Sequence, residues 1–237
     1  MHSLVSISII GFLIGVVGTG LGGIISLFIK NTNKIMSFLL GLTSGFMMFI
    51  VTFHLIPEAY YVSENMFTVI GGIVLGILLV ILMEGYIDKM GKNAYIKSSI
   101  LMGISIAVHN FPEGLALGSS FLTSSNLGPT LAIAMLLHDI PEGVAIAIPM
   151  KINRDNSLKI VLYTLLIGIP TGLGAFIGAY LGSISPQIIA LCLAFAGGTM
   201  LYIICDEMIP SAKELYKGRA SSIGVVVGFI IGVVLYI

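Results

Sequence analysis

The sequence predicts an all-α polytopic membrane protein with eight transmembrane helices in one domain, residues 1–237. Hydrophobic residues make up 57% of the chain and charged residues only 9%, whereas about 25% of the residues of a soluble domain are charged. Apolar stretches of about 20 residues recur along the whole length, and each is long enough to cross a hydrocarbon layer of about 30 Å. The 29 glycines favour helices that pack closely through small residues.

Apolar runs and their polar interruptions define the eight spans. They are 3–29, 35–58, 66–87, 98–122, 128–150, 158–182, 187–210 and 221–237. The connections are short, so we expect no soluble domain on either face. The first run has no basic residue before it and is longer than the core of a signal peptide, so we expect it to be retained.

The basic residues predict the orientation. Every lysine and arginine follows an odd-numbered span: Lys30, Lys34, Lys89, Lys92, Lys97, Lys151, Arg154, Lys159, Lys213, Lys217 and Arg219. Because basic connections mark the cytoplasmic side, both termini are predicted to lie outside the cytoplasm. An extra or missing span in the middle would scatter lysines over both faces, so the pattern also favours a count of eight.

An internal symmetry relates the two ends of the chain. Span two carries the sequence HLIPE from His54 to Glu58, and span seven carries EMIPS from Glu207 to Ser211. Spans one and six share a stripe of glycines. We therefore predict a 3+2+3 inverted-repeat arrangement, with spans four and five as a mutually inverted pair in the middle. Inverted repeats that enclose a site near the bilayer midplane are typical of secondary transporters.

Two near-identical polar motifs lie inside apolar segments, HNFPEG from His109 and HDIPEG from His138. Residues four apart share one helix face, so His109 pairs with Glu113 and His138 pairs with Glu142. A carboxylate at the centre of a membrane costs about 2.5 to 3.5 kcal/mol on the lowest scale. The two pairs fall at similar depths in neighbouring spans, and a bound divalent cation would compensate their charge.

Further oxygen ligands adjoin these pairs. Asn110 and Asp139 each follow a histidine, and Glu207 can supply another carboxylate. Imidazole with carboxylate suits Zn²⁺, Fe²⁺, Mn²⁺, Co²⁺ or Ni²⁺, and the absence of thiolate disfavours Cu(I). Two divalent ions would balance the four acids of this set, so we favour a two-metal site in which Glu113 and Glu142 bridge.

The motif prolines predict irregular helix geometry beside the ligands. Pro112 and Pro141 each lack a backbone N–H and release the carbonyl one turn earlier. Open backbone at this depth belongs next to a wet cavity. We therefore expect both motif helices to open or kink at their prolines.

Eight helices, outward termini, the two H-x-x-P-E motifs and the E-x-x-P of span seven together resemble the ZIP (Zrt/Irt-like) family of divalent metal transporters, and its bacterial zinc-uptake permeases in particular. The resemblance covers the whole chain. It implies uptake of metal into the cytosol across the inner membrane, a homodimer, and an elevator-like motion of helices one, four, five and six against the other four. It also implies Cd²⁺ as a further transported ion. Many relatives have a histidine-rich loop after helix three, whereas residues 88–97 contain no histidine.

The same resemblance implies roles for the site residues. The first metal is assigned to His109, Glu113, His138 and Glu142. The second is assigned to Asn110, Asp139 and Glu207, together with the bridging glutamates.

Other interpretations remain open at this stage. An intramembrane metal-dependent hydrolase is the alternative function, because histidine and carboxylate also describe catalytic zinc, although the chain lacks H-E-x-x-H. A carrier of another solute with a structural metal is a third. His54 is either a packing residue or an outer-gate relay, Glu58 is solvated or attracts cations, and Asp206 is either a support for Glu207 or interface polarity. The sequence contains no basic run with interleaved aromatics of the kind that would indicate nucleic-acid binding.

Overall fold

The computed structural model describes residues 4–29, 32–90, 110–123, 126–152 and 154–236, and these ranges are helical with short connections. In chain order the helices are α1 (Leu4–Phe28), α2 (Asn33–Ile50), α3 (Ile56–Ser63), α4 (Met66–Met90), α5 (110–120), α6 (Leu127–Ile152), α7 (Ser157–Ile167), α8 (Ile169–Gly182), α9 (Pro186–Ile203), α10 (Ile209–Leu215) and α11 (Ala220–Tyr236). Side-chain oxygens cap three of them, because Thr32, Asn156 and Ser185 accept a hydrogen bond from the first turn of α2, α7 and α9.

Within the described ranges, six helical runs are long and apolar enough to cross a membrane. These runs are Leu4–Phe28, Asn33–Ser63, Met66–Met83, Leu127–Ile148, Ser157–Gly182 and Pro186–Leu215, and Ala220–Leu235 is a shorter apolar helix. The prediction of an all-α polytopic membrane protein is confirmed. Residues 98–109 of span four lie outside the described residues, so the count of eight spans stays a prediction.

The helices form two bundles. In the first, α1 packs against α6, α7 and α8, and α5 lies on α8, where a Cβ added at Gly114 would overlap the backbone of Thr171. In the second, α2 packs against α10 and α11, while α9 packs against α3 and α4. Contacts between α2 and α6 and between α8 and α9 join the two bundles.

Small residues bring the backbones of the first bundle close together. A Cβ on Gly15 of α1 would overlap the carbonyl oxygen of Gly168, and a Cβ on Gly22 would overlap the carbonyl oxygen of Ile140 in α6. These approaches are closer than any side chain would allow, so the glycines are needed for contact area rather than for backbone flexibility. The glycine stripe predicted to pack α1 thus has a direct structural role.

Helix irregularity occurs at positions other than those predicted. α6 continues as α-helix through Pro141, whereas the turn before Pro112 lies outside the described residues. Within the described ranges two π-helical turns, Val51–Leu55 and Ile204–Met208, interrupt spans two and seven, and each is followed two residues later by a proline. Span six is broken at Gly168, between α7 and α8. Because proline lacks an N–H and crowds the carbonyl one turn earlier, a widened turn before it relieves both problems. The helices then continue, so spans two and seven run to Ser63 and Leu215, past their predicted ends.

Candidate metal centre

The site is built from side chains of α5 and α6. His138 and Glu142 are four residues apart on α6 and therefore share a face, and Glu113 of α5 approaches the same face. One ligand atom from each of these three residues lies within 4.8 Å of the other two. All three side chains are buried, with at most 3% of their surface exposed. This is the convergence of the two motifs that their spacing predicted.

The distances inside the cluster fit a small metal ion. Nε2 of His138 lies 3.2 Å from Oε1 of Glu113 and 3.4 Å from Oδ1 of Asp139. Two ligands that each bind Zn²⁺ at about 2.0 to 2.1 Å in a tetrahedron are about 3.3 to 3.4 Å apart. Nε2 of His138 therefore lies from each of these two oxygens at the distance expected between two neighbouring ligands of one ion.

The hydrogen bond of Nδ1 determines which ring nitrogen of His138 is available to bind a metal ion. Nδ1 lies 3.0 Å from the carbonyl oxygen of Ala134 on the previous turn. A carbonyl only accepts hydrogen bonds, so Nδ1 carries the proton, and in the neutral ring Nε2 presents a lone pair to the carboxylates. Metal-binding histidines are oriented in the same way, by a hydrogen bond from the other nitrogen to a carbonyl or carboxylate. A proton on Nε2 makes this contact with Glu113 a hydrogen bond, and in the neutral ring a metal ion between the lone pairs would take the place of that proton.

Asn110 and Asp139 lie deeper against the first bundle. Nδ2 of Asn110 donates to the carbonyl oxygen of Ile167, at 2.8 Å, where α7 ends. This leaves Oδ1 of Asn110 without a hydrogen bond among the described residues. Asp139 is completely buried beside Gly18 of α1, where a Cβ would collide with its side chain. Neither carboxylate oxygen of Asp139 has a hydrogen bond within the described ranges.

Carboxylates outnumber basic groups among the described residues of the site. Glu113, Asp139 and Glu142 are three buried acids, and among the described residues His138 is the basic group beside them. Removing a charge from water costs several kcal/mol per ion unless a partner compensates it. Among the described residues, three acids thus share one imidazole, and a bound cation would add to that compensation.

The remaining predicted ligands lie elsewhere. His109 is outside the described residues. Glu207 lies in the π-helical turn Ile204–Met208 of the second bundle, partly buried, and is not a member of the cluster that Glu113, His138 and Glu142 form. Asp206 is exposed. The structure thus brings together Glu113, His138, Asp139 and Glu142, with Asn110 on the preceding helix.

Two cavities lead from the surface towards this cluster. The first, which we call the vestibule, has a volume of about 560 Å³ and is lined by residues that include His54, Glu58, Tyr61, Asn126 and Thr130. The second, the inner chamber, has about 210 Å³ and is lined by Phe46, Phe49, Ile50, His54 and Thr130, among others. His54 and Thr130 line both.

The last step of this path is closed. Ile50, Leu55 and Met200 of the second bundle face Glu113 and His138 across a space too narrow for a water molecule. The ring of Phe46 lies 6.3 Å from that of His138, centroid to centroid. The sequence carries no signal for Phe46, Asn126 or Thr130 as residues that line this path, because an isolated aromatic or polar residue in or beside an apolar helix has no distinguishing pattern.

Helices that cross a membrane, with imidazole and carboxylates buried between two of them, define a membrane protein built to hold divalent cations. Comparison with known proteins agrees with this class. Residues 89–236 match the model of the ZIP zinc transporter family. The chain is 31% identical over 243 residues to the zinc transporter ZupT of Akkermansia muciniphila, and 31% identical over 240 residues to ZupT of Chlorobium limicola, with 90% of each chain covered in both comparisons. It is 37% identical over 139 residues to the zinc transporter GufA of Myxococcus xanthus, covering 58% of this chain and 55% of that one.

The chain therefore belongs to the ZIP family of zinc transporters. The members of this family are transporters rather than enzymes. Membership confirms the resemblance drawn from the two histidine motifs, and it removes the intramembrane hydrolase as an alternative.

Proposed function

We propose that this protein is a secondary transporter that carries divalent metal ions, Zn²⁺ foremost, across the inner membrane into the cytoplasm. The observation that carries the proposal is the buried cluster of Glu113, His138 and Glu142, whose ligand atoms lie within 4.8 Å of one another. Its donor set of imidazole and carboxylate suits Zn²⁺ and also Fe²⁺, Mn²⁺, Co²⁺ and Cd²⁺. Relatives that cover the same 90% of the chain are named zinc transporters.

The proposed site holds two ions between helices four, five and seven. Its ligands are His109, Asn110, Glu113, His138, Asp139, Glu142 and Glu207, and Glu113 and Glu142 bridge the ions. Support comes from lone pairs that the described residues leave unused, namely Oε2 of Glu113, Oδ1 of Asn110 and both oxygens of Asp139. Four acids in the complete set match the charge of two divalent ions. Glu207 would join from the second bundle when the bundles change their relative position.

The proposed topology has eight spans, a 3+2+3 inverted repeat and both termini outside. Support for the repeat comes from the helix bounds, because α2 and α9 begin at Asn33 and Pro186 and the π-helical turns at Val51 and Ile204. These two pairs of positions have the same separation along the chain. Support for the orientation comes from the basic residues, which all follow odd-numbered spans. A homodimer is part of the proposal through the family resemblance.

The proposed movement displaces the first bundle relative to the second. The donors of the buried cluster, Glu113, His138 and Glu142, belong to α5 and α6 of the first bundle. The second bundle faces them with apolar side chains such as Ile50, Leu55 and Met200. An ion held by the first bundle can move with it without losing those ligands. Sliding along an apolar face exchanges one set of packing contacts for another and breaks no polar network.

The test is metal flux into liposomes that contain the purified chain and a lumenal Zn²⁺ indicator. We expect uptake by the parent protein, and at least a 10-fold loss in Glu113→Ala and in Glu142→Ala, because each removes a ligand that is not replaced by water in a closed site. The matched control is Glu64→Ala, which removes an exposed carboxylate from the α3–α4 connection. Competition by Fe²⁺, Mn²⁺, Co²⁺ and Cd²⁺ in the same assay ranks the metals. Full uptake in both glutamate variants would refute the proposed site.

A further inference from the structure

The path to the metal cluster narrows in a way that forces an ion to lose its water. The open space shrinks from about 560 Å³ in the vestibule to about 210 Å³ in the inner chamber. The space beside Glu113 and His138 admits no water at all. Ligands that replace water are therefore needed where the path narrows.

His54 lies at this narrowing. Its side chain is half-buried and lines both the vestibule and the inner chamber. Its ring packs edge-on against Phe49, with centroids 5.6 Å apart and planes at 75°, which holds it at the boundary between the two cavities. Beyond it the inner chamber is walled mainly by apolar residues such as Phe46 and Ile50. His54 is thus the last imidazole or carboxylate along the described path before the cluster itself.

Residues with side-chain oxygens line the vestibule together with His54. Glu58 lies four residues further along the same helical run and lines the vestibule, so its carboxylate and the imidazole share a face. Across the cavity, α6 and the residue before it contribute the hydroxyl of Thr130 and the amide of Asn126. An imidazole and a carboxylate with neutral oxygens opposite form an open donor set that binds Zn²⁺ while leaving positions for water.

The position of His54 in the chain matches that of a proposed ligand. His54 is the fourth residue of its π-helical turn, and Glu207 is the fourth residue of the other. Each turn is followed by isoleucine and proline, at 56–57 and 209–210. π-Helical turns are frequently found at functional sites, because the widened turn redirects side chains. In an inverted repeat, a ligand of the second half has its counterpart in the first half on the opposite side of the membrane.

We propose that His54 and Glu58 form a loading site for a divalent metal ion, distinct from the buried cluster, that takes the ion from the vestibule and replaces part of its hydration before it passes to Glu113 and His138. The proposal rests on the proposed transport function. It adds a ligand pair at the predicted outer end of the path. The loading site holds the ion weakly, since two side-chain ligands and remaining waters must release it inward.

Uptake kinetics in liposomes test the loading site. We expect His54→Asn to raise KM for Zn²⁺ about 10-fold while the maximal rate stays within about twofold, because the loading step is rescued by a higher metal concentration. We expect His54→Cys to restore the KM for Zn²⁺ and to favour Cd²⁺ over Zn²⁺, because a thiolate is a softer ligand. A purely structural role of His54 predicts no such rescue. Equal KM values in the parent and His54→Asn, or identical behaviour of His54→Asn and His54→Cys, would overturn the proposal.

Direct binding separates this proposal from the transport function. In the full chain carrying Glu113→Ala, His138→Ala, Asp139→Ala and Glu142→Ala, equilibrium dialysis against Zn²⁺ should still detect one weakly bound ion, and adding His54→Ala should abolish it. Adding Glu64→Ala instead should leave it unchanged. Residual binding that persists without His54 would refute the loading site whatever the flux. Loss of binding with His54, together with full flux in the quadruple variant, would refute the buried transport site and leave the loading site standing.

Discussion

Replacement of Glu142 by glutamine should stabilise the metal-free protein and weaken its response to metal. Glu142 is buried with Glu113 and Asp139, and His138 is the basic group that the described residues place among them. Glutamine keeps the shape and the hydrogen-bonding capacity of the side chain but removes one negative charge. Without metal the excess charge is therefore smaller, and with metal one ligand is weaker.

The size of the effect follows from the distances. The ligand atoms lie within 4.8 Å of one another. Two unit charges at this distance repel by about 3.5 kcal/mol at an effective dielectric constant of about 20. A proton held among the acids relieves part of this repulsion, so we expect a gain of about 1 to 3 kcal/mol. For a chain of this length each kcal/mol moves the midpoint of unfolding by about 2 to 4 °C. The metal-free Tm of Glu142→Gln should thus rise by about 5 °C.

The Tm of both proteins can be measured in detergent with a thiol-reactive fluorescent dye. Cys192 is free and buried and reacts when the helices separate, whereas the exposed Cys205 would react at once and is replaced by serine in both proteins. Zn²⁺ at about 100 times its Kd stabilises the folded parent by about 2.7 kcal/mol, and the loss of a ligand should remove most of this shift. Glu64→Gln, at an exposed carboxylate, controls for the change of one charge.

Two outcomes would refute the reasoning. A metal-free Tm that falls in Glu142→Gln would mean that the carboxylate is compensated within the folded protein and is structural. A Zn²⁺-dependent shift equal to that of the parent would mean that Glu142 does not bind the ion. Either result would remove the electrostatic argument for a cation at this site.

Two further predictions concern the packing of the first bundle. Gly15→Ala should lower both Tm and uptake, because overpacking against Gly168 destabilises the fold by about 1 to 3 kcal/mol. Gly71→Ala, whose Cβ meets no atom within 4 Å, should change neither. An equal effect of both substitutions would show that the close approach of α1 is not required. Lys151→Met should also lower Tm, because it removes the hydrogen bonds that Nζ of Lys151 donates to the carbonyl oxygens of Ser26, Leu27 and Ile29 at the end of α1. The expected loss of folding free energy is about 1 to 3 kcal/mol. Lys159→Met, at an exposed ion pair with Asp155, is the control, and an equal loss in both would contradict a capping role.

Much of the helical arrangement could be predicted from hydropathy because membrane helices must be apolar and continuous. The predicted spans 128–150 and 158–182 differ by one or two residues from the runs Leu127–Ile152 and Ser157–Gly182. The convergence of His138, Glu142 and Glu113 followed from helical spacing and from the short connection between spans four and five. These features depend on local sequence alone.

Other features depend on which helices touch, which hydropathy does not encode. The hydrogen bond from Asn110 to Ile167 exists because α5 lies on the break between α7 and α8. The position of Glu207 depends on how the two bundles sit against each other. The π-helical turns were not predicted, because the prolines at 57 and 141 carry the same local sequence signal, yet the turn before Pro57 is widened and the helix around Pro141 is a regular α-helix.

The division of polar and apolar residues between the bundles explains why such a negative site can be tolerated in the membrane. The second bundle presents Ile50, Leu55 and Met200 to the cluster and excludes water from it. Exclusion of water strengthens the repulsion among Glu113, Asp139 and Glu142 in the metal-free protein, and it strengthens their attraction for a cation to the same extent. The closed apolar face thus makes the metal-free site unfavourable and the loaded site favourable. We therefore expect the first bundle to move across that face more readily when an ion balances its charge than when the site is empty.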